Sequence, residues 1–230
     1  MLFPGLERRR HNHIHYFRTL QGVVGMLRDS ESTESVFDIE DGLRDLDASR
    51  LAAEHMLTIP AVRALADERY LRPPADVDAM CALPPGTLGH GYGHHLRDHG
   101  FDPDYYRKID VETDAEYLAL RMRQTHDIWH VVIGLDPSAI GELGVKGCEL
   151  AQTRRPMAAV ITAGGVLRYL VKEPEQLPAV VEAIALGYSI GARAKPLLAQ
   201  KWEEQWHRPL AEIRQELDVE PGPYRPGATD

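Results

Sequence analysis

The amino-acid sequence predicts an all-α fold, a single-domain multi-helix bundle over residues 1–230, and three observations carry that expectation. Apolar residues recur at three- and four-residue intervals through most of the chain, as one face of a helix requires. Alternating β-branched runs of strand length are nearly absent. Pro and Gly fall between the periodic segments, where they end one helix and open the next.

In chain order, the pattern predicts a first helix over Tyr16–Arg28 and a second helical region over Ser49–Arg69, kinked or divided at Pro60 because proline removes an intrahelical donor. "RPPADVDAMCALPPGTLG" reads as a connector, "GHGYGHHLRDHG" as a short glycine-weakened helix stopped by Gly100, and "FDPDYY" as a turn. From about Glu112 to Ile133 the helical pattern is strong, with Leu118, Met122, Trp129, Val132 and Ile133 on one stripe and Gly134 as the stop. Asp136 and Pro137 read as N-cap and first helical residue of the next helix, which runs to about Gln152. Pro156 opens another apolar helix, Glu173-Pro174 separates it from one near Leu177–Arg193, and short helices follow at Pro196–Trp206 and Pro209–Leu217. The Pro/Gly-rich end, from about residue 219 to 230, reads as a mobile tail.

The chain has 230 residues, with 35 acidic against 26 basic side chains and a formal net charge of −9. Nucleic acid is therefore not an expected partner, since counterion release needs a positive surface. Only Cys81 and Cys148 are present, too few for a disulfide framework, which suits a reducing compartment such as the cytoplasm. No run approaches the roughly 18–20 apolar residues of a bilayer span, and the N-terminus lacks an apolar signal region, so the chain reads as untargeted.

Chemistry concentrates in "HDIWHVVIGLDPSAIGE", residues 126–142. His126 and His130 are one helical turn apart on the shoulder of the apolar stripe, the spacing that lets two imidazoles share an ion. The chain then rises about 9 Å, reverses through "GLDPS", and falls by a similar length to Glu142, so antiparallel helices return that carboxylate to the level of His130. The expectation is a metal site on a helical hairpin: two histidines, one carboxylate, and open positions. Asp127 lies about 60° farther round the wheel and is a candidate fourth ligand or a group that orients an imidazole. The bland alternative is a core-edge histidine pair with Glu142 paired to Lys146 at i+4.

Weaker candidates surround it. Glu149, seven residues after Glu142 and on the same helical face, reads first as an exposed charge and second as a proton carrier, a role also open to Asp127. Gly141, Gly144 and Gly147 recur every third residue at a cost of roughly 1 kcal/mol each against alanine, so a close neighbour is expected there. That neighbour is another helix or a flat isoprenoid chain, with Gly164 and Gly165 lining the same slot. His90 and His94, with His95 and His99 nearby, form a second but carboxylate-poor histidine cluster. His11, His13 and His15 read as solvated, and Arg8–Arg10 and Arg154-Arg155 as surface charge within reach of anionic lipid.

Histidine, aspartate, two residues, histidine, then eleven residues and glutamate is the motif of the ubiquinone (coenzyme Q) biosynthesis family called Coq-four, and the chain resembles it beyond the motif. "HDIWHVVIGLDPSAIGELGVKGCELAQTRRPM" is similar to the family's central segment, "KWEEQWHRPLAEIRQELDV" to its Trp-Glu-x-x-Trp ending, and "GTLGHGYGHHLRDHGFDP" to its glycine-rich helix. Thr153-Arg154-Arg155 departs from it, being more basic than the family's approach to Pro156-Met157.

The resemblance implies a metal set of His126, Asp127, His130 and Glu142, holding a divalent ion, zinc first and iron or manganese as alternatives. It implies an all-helical, often dimeric protein at the inner membrane face, acting on a prenylated aromatic acid whose ring carboxylate at C1 is replaced by hydroxyl. Other quinone biosynthesis enzymes are implied partners, and a non-catalytic organiser that holds prenyl lipid for them is the competing function. The His126-Asp127 pair also prompts an HD-type phosphohydrolase, but that class places further ligands on separate helices and lacks the glutamate twelve residues on.

Overall fold

Proline and glycine set the helix ends, and the computed structural model shows where each one acts; it describes residues 39–227 except 45, 74 and 106–108. The expected helix over Tyr16–Arg28, Arg8–Arg10 and the N-terminal histidines lie outside the described residues. After a helical stretch at 39–43, α1 spans Asp47–Leu57 and α2 Pro60–Glu68. Pro60 opens α2 at the position where its missing N–H costs nothing, so the proline divides the region as expected.

The connector expectation needs correcting: α3, Val77–Cys81, forms inside it because the Asp76 carboxylate accepts a hydrogen bond from the Ala79 N–H at 2.9 Å. α4 covers Leu88–His99 and stops at Gly100, whose φ is 67°. Its glycines let α3 sit against it, since a Cβ at Gly93 would lie 2.8 Å from the Cys81 backbone nitrogen.

α5, Asp114–Ile133, starts in a capping box in which Thr113 and Glu116 satisfy each other's backbone N–H groups, and ends at Gly134, φ 70°. α6 spans Ala139–Thr153 and begins two residues later than expected. Asp136 accepts from the Ser138 N–H at 2.8 Å to shape the turn, while Ser138 caps the helix by accepting from Gly141 N–H at 3.1 Å. α7 spans Pro156–Lys172, α8 Leu177–Arg193 and α9 Leu210–Glu216.

The helix expected at Pro196–Trp206 is replaced by two 3₁₀ turns, Leu197–Ala199 and Trp202–Glu204. Gln152 is the physical reason at the first of them. Its carbonyl accepts from the Leu197 N–H at 2.9 Å and its amide donates to the carbonyls of Gly191, Ala194 and Lys195, so a side chain takes the backbone groups a helix would use. The expected stripe of α5 is the core: Leu118, Met122, Trp129, Val132 and Ile133 are buried with Tyr92, Trp202 and Ile213. Arg121 joins the Trp202–Glu204 turn to α5 through a fully buried pair with Glu203 at 2.6 Å.

α6 and α8 pack face to face over their glycines. A Cβ on Gly187 would fall 1.8 Å from the Gly144 carbonyl oxygen, and one on Gly147 would fall 2.5 Å from that of Ile184. Gly144 and Gly147 thus admit a helix, one of the two neighbours expected there; Gly165 closes on Leu143, and Gly164 is buried in α7. The tail is also corrected: Gly222 N–H donates to Ile133 at 2.8 Å and Tyr224 N–H to Gly134 at 3.0 Å, which straps the chain across the end of α5. Neither Gly134 nor Gly222 has room for a Cβ beside the other.

Candidate metal centre

The α5–α6 hairpin brings three side chains together at its rim. His126 and His130 sit a turn apart on α5, and Glu142 lies in the first turn of α6, where a negative charge complements the helix dipole. The Nε2 atoms of the two histidines are 3.3 Å apart, and the Glu142 carboxylate oxygens lie 3.0 Å from His130 Nε2 and 3.2 Å from His126 Nε2. Among the described residues this is the one group of three whose ligand atoms all lie within 4.8 Å of one another. His130 is fully buried, whereas the side chains of His126 and Glu142 keep 24% and 38% of their surface, so the cluster has a closed floor and an open side.

The donor set fits a divalent ion. Bonds of about 2.0–2.1 Å in a tetrahedron put neighbouring ligand atoms about 3.3–3.4 Å apart, close to the 3.3 Å between the two Nε2 atoms, while the two histidines meet different oxygens of Glu142, Oε1 at 3.0 Å and Oε2 at 3.2 Å. His130 Nδ1 is 2.9 Å from the Leu135 carbonyl, which only accepts, so Nδ1 carries a proton and Nε2 is left to face the cluster. The same separations are hydrogen-bond lengths. Without an ion, burial works against charge on His130, but the Glu142 carboxylate overrides it and raises the imidazole above its ordinary range; burial likewise opposes charge on Glu142, yet His130 and His126 hold it well below the usual carboxylate value.

Asp127 is not in the three-residue group; it acts on His130 through space, favouring the charged imidazole. The alternative Glu142–Lys146 pair is absent, because Lys146 donates instead to Glu149 at 2.8 Å. Glu149 and Arg155 correct the expectation of exposed charges. Glu149 is fully buried between Lys146 and Arg155, the latter 2.9 Å away, and Arg155 continues to Glu40, which Arg123 also holds at 2.5 Å. Burial would raise Glu149, but those cations hold it at about 2. It is held as a carboxylate between two cations.

The second histidine cluster gathers no such set. His90 has both nitrogens near carbonyls, Cys81 at 3.2 Å and Gly227 at 3.3 Å, while His94 faces Asp98 and Arg97. Sequence reasoning grouped His95 with that second cluster, whereas its buried ring stacks on His130 with centroids 5.5 Å apart. Its signal was present: Leu88, Tyr92, His95 and Leu96 share the buried stripe of α4 at helical spacing. Beyond the hairpin, a cavity of about 330 Å³ is lined by Leu43, Leu46, Ala53, Met56 and Met157, with Arg155 in its wall.

Fold and site together define an all-helical protein with a two-histidine, one-carboxylate centre on a hairpin. Residues 53–223 match the model of the coenzyme Q (ubiquinone) biosynthesis protein Coq4 family, and the chain belongs to that family. It is 33% identical over 186 residues to "Ubiquinone biosynthesis protein COQ4 homolog 1, mitochondrial" of Culex quinquefasciatus, covering 78% of this chain and 64% of that one. The COQ4 homolog of Danio rerio, also named mitochondrial, is 30% identical over 204 residues, covering 87% of this chain and 70% of the relative. The chain thus spans about two thirds of the length of these two relatives. Their compartment differs from the cytoplasm that cysteine usage suggested. A crystal structure from Nostoc punctiforme PCC 73102, described as a candidate ubiquinone biosynthesis protein, superposes with a TM-score of 0.80 at 35% identity, covering 89% of this chain and 98% of that one.

Proposed function

We propose that this chain is a metal-dependent enzyme of ubiquinone biosynthesis that acts on the ring of a polyprenylated hydroxybenzoate, removing the C1 carboxylate and leaving a hydroxyl in its place. The observation that carries the reading is the convergence of His126, His130 and Glu142 at ligand separations beside an open side of the hairpin. A bound divalent ion, zinc first and iron or manganese as alternatives, would supply Lewis acidity toward a ring carboxylate or phenolate. The carboxyl carbon leaves as carbon dioxide, water supplies the oxygen of the new hydroxyl, and the two electrons and two protons released pass to an acceptor such as dioxygen, which becomes hydrogen peroxide and is a required co-substrate.

The chain's own residues do the positioning. Leu135 holds the His130 ring, and the buried Lys146, Glu149 and Arg155 charges fix α6 beneath Glu142. Asp127 completes the proposed ligand set or orients its neighbour. The cavity walled by Met56 and Met157, with Glu40, Arg44, Asp47, Arg50, Glu116 and Arg155 also in its lining, is of a size that takes a small apolar chain. Leu167, Leu170 and Val171 on α7 and Val181 and Tyr188 on α8 are exposed, which supports peripheral contact with a membrane or with a second copy of the chain. No described helix is long and apolar enough to cross a bilayer.

The same exposed residues and cavity favour a second reading, a non-catalytic organiser that presents prenyl lipid to other quinone biosynthesis enzymes. Turnover separates the two. Metal-loaded protein given a prenylated hydroxybenzoate and oxygen is expected to release carbon dioxide and yield the hydroxylated ring. Unchanged substrate retained with the protein, identified by mass spectrometry of the extracted lipid, rejects catalysis and supports the organiser.

A further inference from the structure

His95 is fully buried, and half of its hydrogen bonding is unspent. Its Nδ1 lies 3.0 Å from the Tyr224 hydroxyl, while its Nε2, shut off from solvent, has no hydrogen-bond partner among the described residues. An imidazole nitrogen buried without a partner is costly, so a polar group that reached it would be held there.

The location says what that group is. The His95 ring stacks on the ring of His130 at a 25° interplanar angle. Both rings are gripped through Nδ1 from one crossing of the chain: His130 by the Leu135 carbonyl, His95 by Tyr224, whose own N–H donates to the Gly134 carbonyl. Each ring keeps Nε2 for another partner, and for His130 that partner is the three-residue cluster. When the Tyr224 hydroxyl donates to Nδ1, Nε2 of His95 carries the N–H and offers a donor to an oxygen. His99 and Phe101 also pack on the ring, with centroids 5.4 and 5.6 Å away.

We infer that His95, though not a metal ligand, is a substrate-holding residue: its Nε2–H donates to an oxygen of a carboxylate that enters from the open side of the His126–His130–Glu142 cluster and reaches the buried floor beside His130, and Tyr224 fixes the ring for that purpose. The inference rests on the proposed metal reading and adds to it a recognition element for an acidic head group, supplied by α4 and the C-terminal strap. A packing role alone would make His95 matter for His130 and the metal. The holding role makes it matter for the carboxylate.

The test uses the full-length protein loaded with cobalt(II), with acetate as the carboxylate probe and the visible bands of the metal as the readout, alongside zinc affinity from chelator competition. In His95→Phe, acetate affinity is expected to fall about tenfold or more while zinc affinity stays within about threefold of the parent. His95→Gln, which can present an amide donor, is expected to recover part of the loss, and Tyr224→Phe to show an intermediate one. These two variants also carry the test if His95→Phe does not fold. Acetate affinity unchanged in the variants overturns the inference, as does zinc affinity falling in step with acetate. A parent protein that binds cobalt but shows no acetate-dependent spectrum overturns it while the metal reading survives. A parent that binds neither zinc nor cobalt removes the metal reading, and this inference with it.

Discussion

Arg121 and Glu203 show what a single buried pair contributes here. Both side chains are shut off from solvent, two hydrogen bonds of 2.6 and 2.9 Å join them, and the Gln200 carbonyl takes a third from the guanidinium. Removing one partner leaves the other charge buried and uncompensated, a cost of about 3–5 kcal/mol. Glu203→Ala is expected to lower unfolding stability by that order in urea titration; a change below about 1 kcal/mol would show that the guanidinium finds water or another acceptor. At this scale the sequence was legible where spacing along one hairpin sets the geometry, as it does for His126, His130 and Glu142. It was not legible where partners come from far along the chain. Glu149 read as exposed although its partners Lys146 and Arg155 stand only three and six positions away, because spacing along one helix does not say which face other elements cover. The α4 stripe marks His95 as buried, but its place beside His130 is set by the approach of α4 to α5, which comes from far along the chain.

Helices α6 and α8 touch backbone to backbone, and the contact is made of glycine. Gly187 meets the Gly144 carbonyl and Gly191 meets that of Cys148, so side chains at these places would push α8 off the helix that carries Glu142. Gly187→Ala is therefore expected to destabilise the protein by about 1–3 kcal/mol, even though alanine is the better helix former. Thermal unfolding checks it, and an unchanged or higher Tm would mean that the helices separate without cost. Element limits followed from local chemistry wherever proline or glycine decided them, as at Pro60, Gly100, Gly134 and Pro156. Local chemistry misled where a distant group takes the backbone hydrogen bonds. Gln152 does so at Leu197, and Ile133 and Gly134 do so for the tail that composition marked as loose.

Across the whole molecule, a ladder of alternating buried charges ties the helical stretch at 39–43, α5, α6 and the start of α7 together: Lys146, Glu149, Arg155, Glu40 and Arg123. Burial opposes charge on Glu149 and Glu40, but the neighbouring cations win, leaving Glu149 at about 2 and Glu40 below its ordinary 4.5. A carboxylate depressed in the folded state binds its proton later than in the unfolded chain. Its stabilisation is therefore full above about pH 4.5 and is lost as pH falls toward about 2. Stability measured across that window is expected to drop steeply in the parent and less steeply in Glu149→Gln; identical slopes would mean that Glu149 does not carry the linkage. The charge ladder could not be read from a net charge of −9, because composition counts charges without saying which are buried together.

The central claim is that the α5–α6 hairpin holds one divalent ion through His126, His130 and Glu142. Elemental analysis of the purified chain after zinc loading and desalting, beside Glu142→Ala and His130→Ala, tests it most directly. The expected result is about one equivalent of metal in the parent and a substoichiometric trace in both variants, with all three still helical by circular dichroism. One equivalent retained by either folded variant, or none in the parent, would contradict the account.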